Sequence, residues 1–425
     1  MDYSSATDYL FNLKGKGGKY GIDRMRLFVE ALGNPQKELR VIHVAGTNGK
    51  GSVSAMCESI CRAAGLRTGL YSSPHLVRLG ERVQVNREIL TEAQIVAYTL
   101  ELKEVAEKIT AESPDDHPTF FEFMTAMAIL HFVREKVDIA IFEVGLGGRL
   151  DATNVVDSEV SVITSIGLDH CEQLGTTLEA VAREKAGILK PEVPVVIGLM
   201  ETEARQAIEA VAHERNCPVF AVADLFGNDR SRFPTTALPG EHQRINAAIA
   251  SAVFQVIRNK LPVSPEVVRQ GLEQVKWPGR WDVREIAGKK LIFEAAHNPQ
   301  GAEVLGRELE KLVAAEGRPI VAVGALGDDR ARALLETVAR FAREIYLFAP
   351  DQPRATPVER LRSFIPSDFE GKVEVRQVAD VFSVEAGCSL GEPGDTIVVT
   401  GSIYLIGEIL ASLESDRVKE ARLQD

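Results

Sequence analysis

The 425-residue sequence has little that would tie it to nucleic acid, a membrane or an oxidising compartment. Lys and Arg total 49 against 61 Asp and Glu, a net charge of −12. That balance argues against a general nucleic-acid binder, which carries a basic excess, while leaving room for a local positive site that takes a small anion. No apolar run approaches the ~18–20 residues of a bilayer span. The start, Met1-Asp2-Tyr3-Ser4-Ser5, lacks the basic-then-apolar pattern of a secretory signal. Cysteines are few and odd in number (Cys57, Cys61, Cys171, Cys217, Cys388), with no C-x-x-C pair. Cys57 and Cys61 fall four apart on one face of a predicted helix and read as buried thiols rather than metal ligands or a disulfide. Also missing are a Ser-His-Asp spacing, a reactive-cysteine signature and a pair of isolated carboxylates, which disfavours hydrolysis of esters, peptides or glycosides. The expectation is a cytoplasmic chain with no nucleic-acid or membrane partner.

What is present is the composition of a globular protein, 45% hydrophobic and 26% charged, at a length that suits two large domains or three small ones. β-branched runs at Val41 to Ala45, Thr68 to Ser72, Val137 to Val144, Val160 to Ile166, Val193 to Ile197 and Val219 to Val222 read as buried strands. Helical spacing such as Val53, Met56, Cys57, Ile60, Ala64 separates several of them. The alternation predicts an α/β fold with a mainly parallel sheet covered on both faces. It pauses at Lys276-Trp277-Pro278-Gly279-Arg280-Trp281 and restarts with Leu291 to Ala295, Pro319 to Val323, Glu344 to Phe348, Lys372 to Val378 and Thr396 to Thr400. Two domains are therefore expected, residues 1–279 and a smaller α/β domain at 280–425. The first forty residues are less regular, and Lys14-Gly15-Lys16-Gly17-Gly18-Lys19 reads as a mobile basic loop.

The strongest local signal is Val41-Ile42-His43-Val44-Ala45-Gly46-Thr47-Asn48-Gly49-Lys50-Gly51-Ser52 before a helix. A strand, a glycine-rich turn and a helix N-terminus make a phosphate cradle, and Lys50 adds a point charge. The residue after Lys50 is Gly51, so the hydroxyl that usually reaches magnesium from that position is absent. Ser52, or a residue of Ser72-Ser73-Pro74-His75 at the end of the next strand, would supply it. Glu143 ends an apolar strand and enters Gly145-Leu146-Gly147-Gly148; a charge there is costly unless paired or metal-bound, and hard oxygen suits magnesium. His170, beside Asp169, follows a third strand and is a candidate for metal or phosphate. Groups that position phosphate and metal are what phosphoryl transfer mainly requires.

Taken in order, Gly46 to Ser52 (GTNGKGS), Ser72 to Leu76 (SSPHL), Glu143 to Asn154 (EVGLGGRLDATN), Ser165 to His170 (SIGLDH), Arg183 to Lys190 (REKAGILK), Leu238 to Asn246 (LPGEHQRIN), Trp277 to Arg280 (WPGR) and Thr400 to Leu405 (TGSIYL) resemble the motif series of folylpolyglutamate synthase and dihydrofolate synthase, within the Mur ligase superfamily. The resemblance runs over essentially the whole chain. It implies a P-loop-type N-terminal domain and a Rossmann-like C-terminal ligase domain closing over a cleft. ATP and magnesium are the implied cofactors, two ions, with potassium as a further candidate.

Residue by residue, the resemblance places the phosphate loop at Gly49, Lys50, Gly51 and Ser52 and the metal ligands at Ser73, Glu143 and His170. The family's carbamylated lysine falls on Lys185, and ATP contacts fall on Asn246, Arg280 and Glu294. Pterin-substrate loops match Thr119-Phe120-Phe121-Glu122 and Leu150-Asp151-Ala152, with an N-terminal contact at Ile22-Asp23-Arg24-Met25. His297, Ser402 and Tyr404 fall where the incoming glutamate is received. Two departures stand out: Glu294-Ala295-Ala296-His297-Asn298 where the family usually has D-G-A-H-N, and Asp328-Asp329-Arg330 where it commonly has D-K-D. The implied activity is ATP-driven joining of L-glutamate to dihydropteroate and to tetrahydrofolate and its polyglutamates through an acyl phosphate, by a monomer. A monofunctional folylpolyglutamate synthase, a cell-wall Mur ligase, a nucleotide-dependent switch and a degenerate structural member are the alternatives.

Overall fold

The computed structural model describes residues 1–13, 21–227 and 229–414; the basic loop Lys14 to Lys19 lies outside them. Among the described residues, eight strands form one sheet: β1 (Val41–Ala45), β2 (Thr68–Tyr71), β3 (Val83–Val85), β4 (Glu88–Ile89), β5 (Ile139–Glu143), β6 (Val160–Ile163), β7 (Val195–Ile197) and β8 (Val219–Ala221). Their spatial order is β4-β3-β2-β5-β1-β6-β7-β8. All are parallel except the β3–β4 edge, an antiparallel addition on β2.

Strand β1 shows why the sheet is central. Its five residues are all buried, and successive side chains serve opposite faces. Ile42 and Val44 join Val53, Met56, Cys57 and Ile60 of the helix Lys50–Ala63 in one core layer. Val41 packs on the other face with Tyr71, Phe123, Phe132 and Phe142, and Ala45 on that face with Ile163, Ile197 and Ile208. A two-faced core of this kind is what a continuous β-branched run encodes. Cys57 and Cys61 lie in it as free, buried thiols.

The second sheet contains β9 (Asp282–Ile286), β10 (Lys289–Glu294), β11 (Ile320–Val323), β12 (Glu344–Leu347) and β13 (Lys372–Val375). A small ribbon follows, β14 (Phe382–Ser383) with β15 (Gly387–Cys388), and β16 (Thr396–Thr400) returns to the sheet, ordered β13-β12-β11-β16-β10-β9. It is parallel except for β9, which pairs antiparallel with β10.

Several elements differ from the sequence expectation. The run from Val160 stops at Ile163 because Thr164 and Ser165 turn to bond the glycine-rich loop. The run from Lys372 stops at Val375, and Val378 opens a helical turn instead. Among their described residues, the irregular first forty hold two α-helices, Tyr3–Asn12 and Asp23–Ala31. Helices of ten and nine residues carry too few turns for a clear period and depend on tertiary packing, here through Leu10, Met25, Phe28 and Val29. No helix among the described residues is long and apolar enough to cross a membrane.

Candidate active site

In the first sheet β1 lies between β5 and β6, so the chain leaves it in both directions, and a crevice opens beyond the C-terminal strand ends at such a switch point. A cavity of about 910 Å³ occupies that position, and its opposite wall is built from the ends of β10 and β16. Residues 46–52, Glu143, Thr164 and Ser165 line it from one side, and residues 294–297 and 402–404 from the other.

The glycine-rich loop is fixed by what surrounds it. Thr47 N–H donates to the Ser165 carbonyl at 2.8 Å, Asn48 N–H donates to Ser165 Oγ at 3.0 Å, and Thr164 Oγ1 donates to the Asn48 carbonyl at 2.6 Å. Gly49 begins the helix at φ +86°, and a Cβ there would lie 2.6 Å from Asn246 Oδ1. Both the left-handed backbone and the close approach of Asn246 therefore require glycine. Lys50 Nζ donates to the carbonyls of Gly46 (3.2 Å) and Thr47 (3.4 Å), which holds the ammonium over the loop.

Two buried ionisable groups face this loop. Burial pushes Glu143 up to about 7, opposed by the charges of Lys50 and Arg280 and by the Ser73 N–H that its carboxylate accepts. Lys185, on the helix Leu178–Ala186, is only 4% exposed; burial, reinforced by Lys50, pulls it down to about 7. A lysine in that condition is about half free amine near neutrality, a far larger nucleophilic fraction than an ordinary lysine carries. His170, exposed on the cavity wall at φ +51°, precedes the short helix Cys171–Leu174 at its N-cap position, with no capping bond from its side chain.

Among the described residues no three His, Cys, Asp or Glu side chains converge into a metal cage. The available donors are the buried Glu143 carboxylate, the adjacent Ser73 hydroxyl and the His170 imidazole. They fit magnesium, which is commonly held by one or two carboxylates with substrate phosphates completing its shell.

Hydrogen bonds connect the two walls. Asn298 Nδ2 donates to Asn48 Oδ1 at 2.9 Å, Asn48 Nδ2 donates to Gln300 Oε1 at 3.0 Å, and Arg330 pairs with Asp169. His297 Nδ1 lies 3.0 Å from the Ala295 carbonyl and must carry the proton, which leaves Nε2 as the acceptor. Burial, with Arg280 nearby, lowers this histidine to about 4, so it is neutral.

Residues 44–232 match the Mur ligase middle domain and residues 279–403 match the Mur ligase glutamate ligase domain. A dihydrofolate synthase/folylpolyglutamate synthase of Bacillus subtilis is 34% identical, the match covering 97% of this chain and 99% of the relative. The chain belongs to this family of Mur ligases. Among solved structures, Escherichia coli FolC in complex with DHPP and ADP superposes with a TM-score of 0.83 at 32% identity, covering 98% of this chain and 99% of that one. The bifunctional enzyme of Yersinia pestis, complexed with AMPPNP and a Mn ion, gives 0.80 at 32%, covering 97% and 98%. Family members are thus seen with nucleotide, a divalent metal and a folate-pathway ligand.

Most residues that the family resemblance singled out line the one cavity: Gly49 to Ser52, Ser73, Glu143, His170, Lys185, Asn246, Arg280, Glu294, His297, Ser402 and Tyr404. The N-terminal segment does so only through Arg24. Asp23 is 87% exposed at its side chain and pairs with Arg26, while Ile22 and Met25 are buried away from the cavity, Met25 in the core against Phe28. On a helix these neighbours point in different directions, so four consecutive residues cannot serve one pocket.

Thr119, Phe120, Phe121 and Glu122 all line the cavity, and each also has structural partners. Thr119 and Glu122 form a capping box, with Thr119 N–H donating to Glu122 Oε2 at 2.7 Å. Phe120 stacks on Phe11 at 5.5 Å between centroids, under the Arg82 guanidinium. Phe121 is half-buried beside Tyr71. A Cβ on Gly145 would sit 2.5 Å from its ring, so that glycine makes room for it. Leu150, Asp151 and Ala152 line the same end.

Glu294 lines the cavity, but its Oε2 already accepts from Trp281 N–H at 2.8 Å, and Oε1 lies 3.8 Å from Arg280. Ser402 caps the helix Ile403–Leu413, its Oγ accepting from Tyr404 N–H. Gln300 had no sequence signal and Arg330 stood out only within the Asp328-Asp329-Arg330 departure; the approach of the two sheets brings both to the site.

Proposed function

We propose that the chain joins L-glutamate to dihydropteroate and extends tetrahydrofolate by γ-linked glutamates, as a monomeric, cytoplasmic, ATP-dependent ligase of two domains, 1–279 and 280–425. The observation that carries this reading is one cavity containing the Lys50 loop, the buried Glu143 and Lys185 side chains, the Phe121 and Asp151 end and the neutral His297. Transfer of a γ-phosphoryl group to the substrate carboxylate yields ADP and an acyl phosphate. The amine of glutamate then attacks the acyl carbon, phosphate leaves and an amide remains.

Lys50 and Arg280 offset the charge that develops on the transferred group. Magnesium, held by Ser73, Glu143 and His170, would screen the phosphates and align them for in-line attack; a second ion, a carbamylated Lys185 and a potassium ion belong to the same reading. Asn246 packs over the loop beside the nucleotide. Ser402 and Tyr404 border the place of the incoming glutamate, with His297 Nε2 accepting a hydrogen bond from its amine. A group held near 4 is too weak a base to carry that proton far, so His297 orients the nucleophile and water takes the proton. At the other end Phe121 offers a flat face to the pteridine and Asp151 a polar edge.

The test is turnover with ATP, glutamate and either dihydropteroate or tetrahydrofolate, read by product mass. Amide product from both supports the full reading. Product from tetrahydrofolate alone restricts the chain to polyglutamylation, and ATP hydrolysis with no amide removes the ligase reading.

A further inference from the structure

Strand β1 contains one residue that neither core nor phosphate loop accounts for. His43 shares a face with Val41 and Ala45, is fully buried, and lies between the two apolar clusters on that side of the sheet. Its strand neighbours are Phe142 and Ser161. A buried imidazole among apolar side chains is costly unless it is bonded.

Among the described residues the His43 side chain has one hydrogen bond, and it leads out of the core. Nε2 lies 2.9 Å from Thr153 Oγ1. That hydroxyl lies 2.5 Å from Asp151 Oδ1, which also accepts the Thr153 N–H at 3.0 Å. The other carboxylate oxygen, Asp151 Oδ2, accepts the amides of Gly145 (3.1 Å) and Leu146 (2.9 Å). The directions are fixed by counting protons. An ionised carboxylate only accepts, so Thr153 gives its single proton to Asp151, and His43 must supply the proton to Thr153. His43 is therefore the neutral Nε2–H tautomer, consistent with Nδ1 having no hydrogen-bond partner and with burial holding the imidazole at about 3.

We propose that His43 and Thr153 form a buried positioning relay that fixes the Asp151 carboxylate, and through it the Gly145–Leu146 turn, so that the central strand sets the geometry of the pteridine end of the cavity. Polarisation along the chain strengthens each link. The hydroxyl pins Oδ1, so rotation of the carboxylate is blocked and Oδ2 keeps both loop amides. The turn it holds begins two residues after Glu143 and carries the glycine that gives Phe121 its place. His43 and Thr153 are positioning residues; Asp151 is the group facing the ligand. The relay itself is a matter of geometry, while its assignment to pteridine recognition rests on the function proposed above.

Two readouts separate those claims. Amide hydrogen exchange of Gly145 and Leu146 needs no substrate. Thr153→Val and His43→Leu should lower protection there about tenfold, while Thr153→Ser and His43→Gln, which keep the hydroxyl and an N–H donor, should restore it. In steady-state assays with dihydropteroate, the first two variants should raise its KM about tenfold, with KM for ATP and glutamate and kcat changing less than threefold, and the conservative pair should recover. Unchanged protection in both Thr153→Val and His43→Leu would overturn the relay. A parallel rise of all three KM values, without recovery in the conservative variants, would reduce the residues to core packing and overturn it equally. If exchange responds as expected but the wild-type protein makes no amide from dihydropteroate, the relay stands and the dihydropteroate reading fails.

Discussion

Glu143→Gln separates stability from catalysis at one atom pair. The wild-type carboxyl is buried at the end of β5, where its acid form is favoured up to about 7 instead of the ordinary 4.5. Ionising it in the folded protein therefore costs about 3 kcal/mol relative to the unfolded chain. Below pH 4.5 both states hold the proton and nothing is lost. Between pH 4.5 and 7 the folded state holds more protons than the unfolded one, so stability falls as pH rises, and above 7 the loss is complete. Glutamine keeps the shape and an oxygen for the Ser73 N–H but cannot ionise. The variant should match wild type near pH 4.5 and exceed it by about 3 kcal/mol at pH 8, on the order of 2 °C per kcal/mol, hence roughly 6 °C in Tm. Glu294 is also pushed up to about 7, but it is present in both proteins and cancels in the difference. Melts of nucleotide-free protein with chelator at several pH values give the comparison, and ligation assays on the same samples should show Glu143→Gln inactive. A Tm difference constant with pH would refute the burial argument, and near-normal ligation would refute the metal role.

Lys185→Ala should be inactive and partly rescued by acetate, and wild-type protein incubated with labelled bicarbonate should show a carbamate signal that the variant lacks; full activity in the variant would count against carbamylation. Glu294→Gln should raise KM for ATP well above any change for glutamate, because it loosens Arg280 and the Trp281 turn; an unchanged ATP dependence would show that these contacts do not reach the nucleotide. Arg330→Ala removes the Asp169 pair between the two walls, a charge-assisted contact of about 1–2 kcal/mol, so kcat/KM should fall roughly five- to thirty-fold with partial recovery in Arg330→Lys. Kinetics within twofold of wild type would mean that the pair has no part in closing the site.

The sequence by itself determined the parts whose signal is local. Val41 to Ala45 running into GTNGKGS specifies strand, turn and helix N-terminus within a dozen residues, and the order of the remaining motifs carried the family. The β-branched runs marked the central parallel strands of both sheets because such strands are buried on both faces, whereas the edge strand β13 is partly exposed. Tertiary structure decided everything that depends on direction or on distant neighbours. Which of Ile22 to Met25 meets the cavity is a matter of helix phase, and only Arg24 does. Thr119 and Glu122 serve a helix cap as much as any ligand, and Glu294 turns back to Trp281. Of the antiparallel edges, β3 and β4 are short and β9 mixes polar with apolar residues, so they lack the apolar run that betrays a central strand. The displaced values of Glu143 and Lys185 are likewise absent from the sequence, since burial and the nearness of Lys50 arise only when strand ends far apart in the chain meet at one crevice. His43 shows the same limit: in the sequence it is one polar residue in a strand, and only the fold brings Thr153 and Asp151 to it.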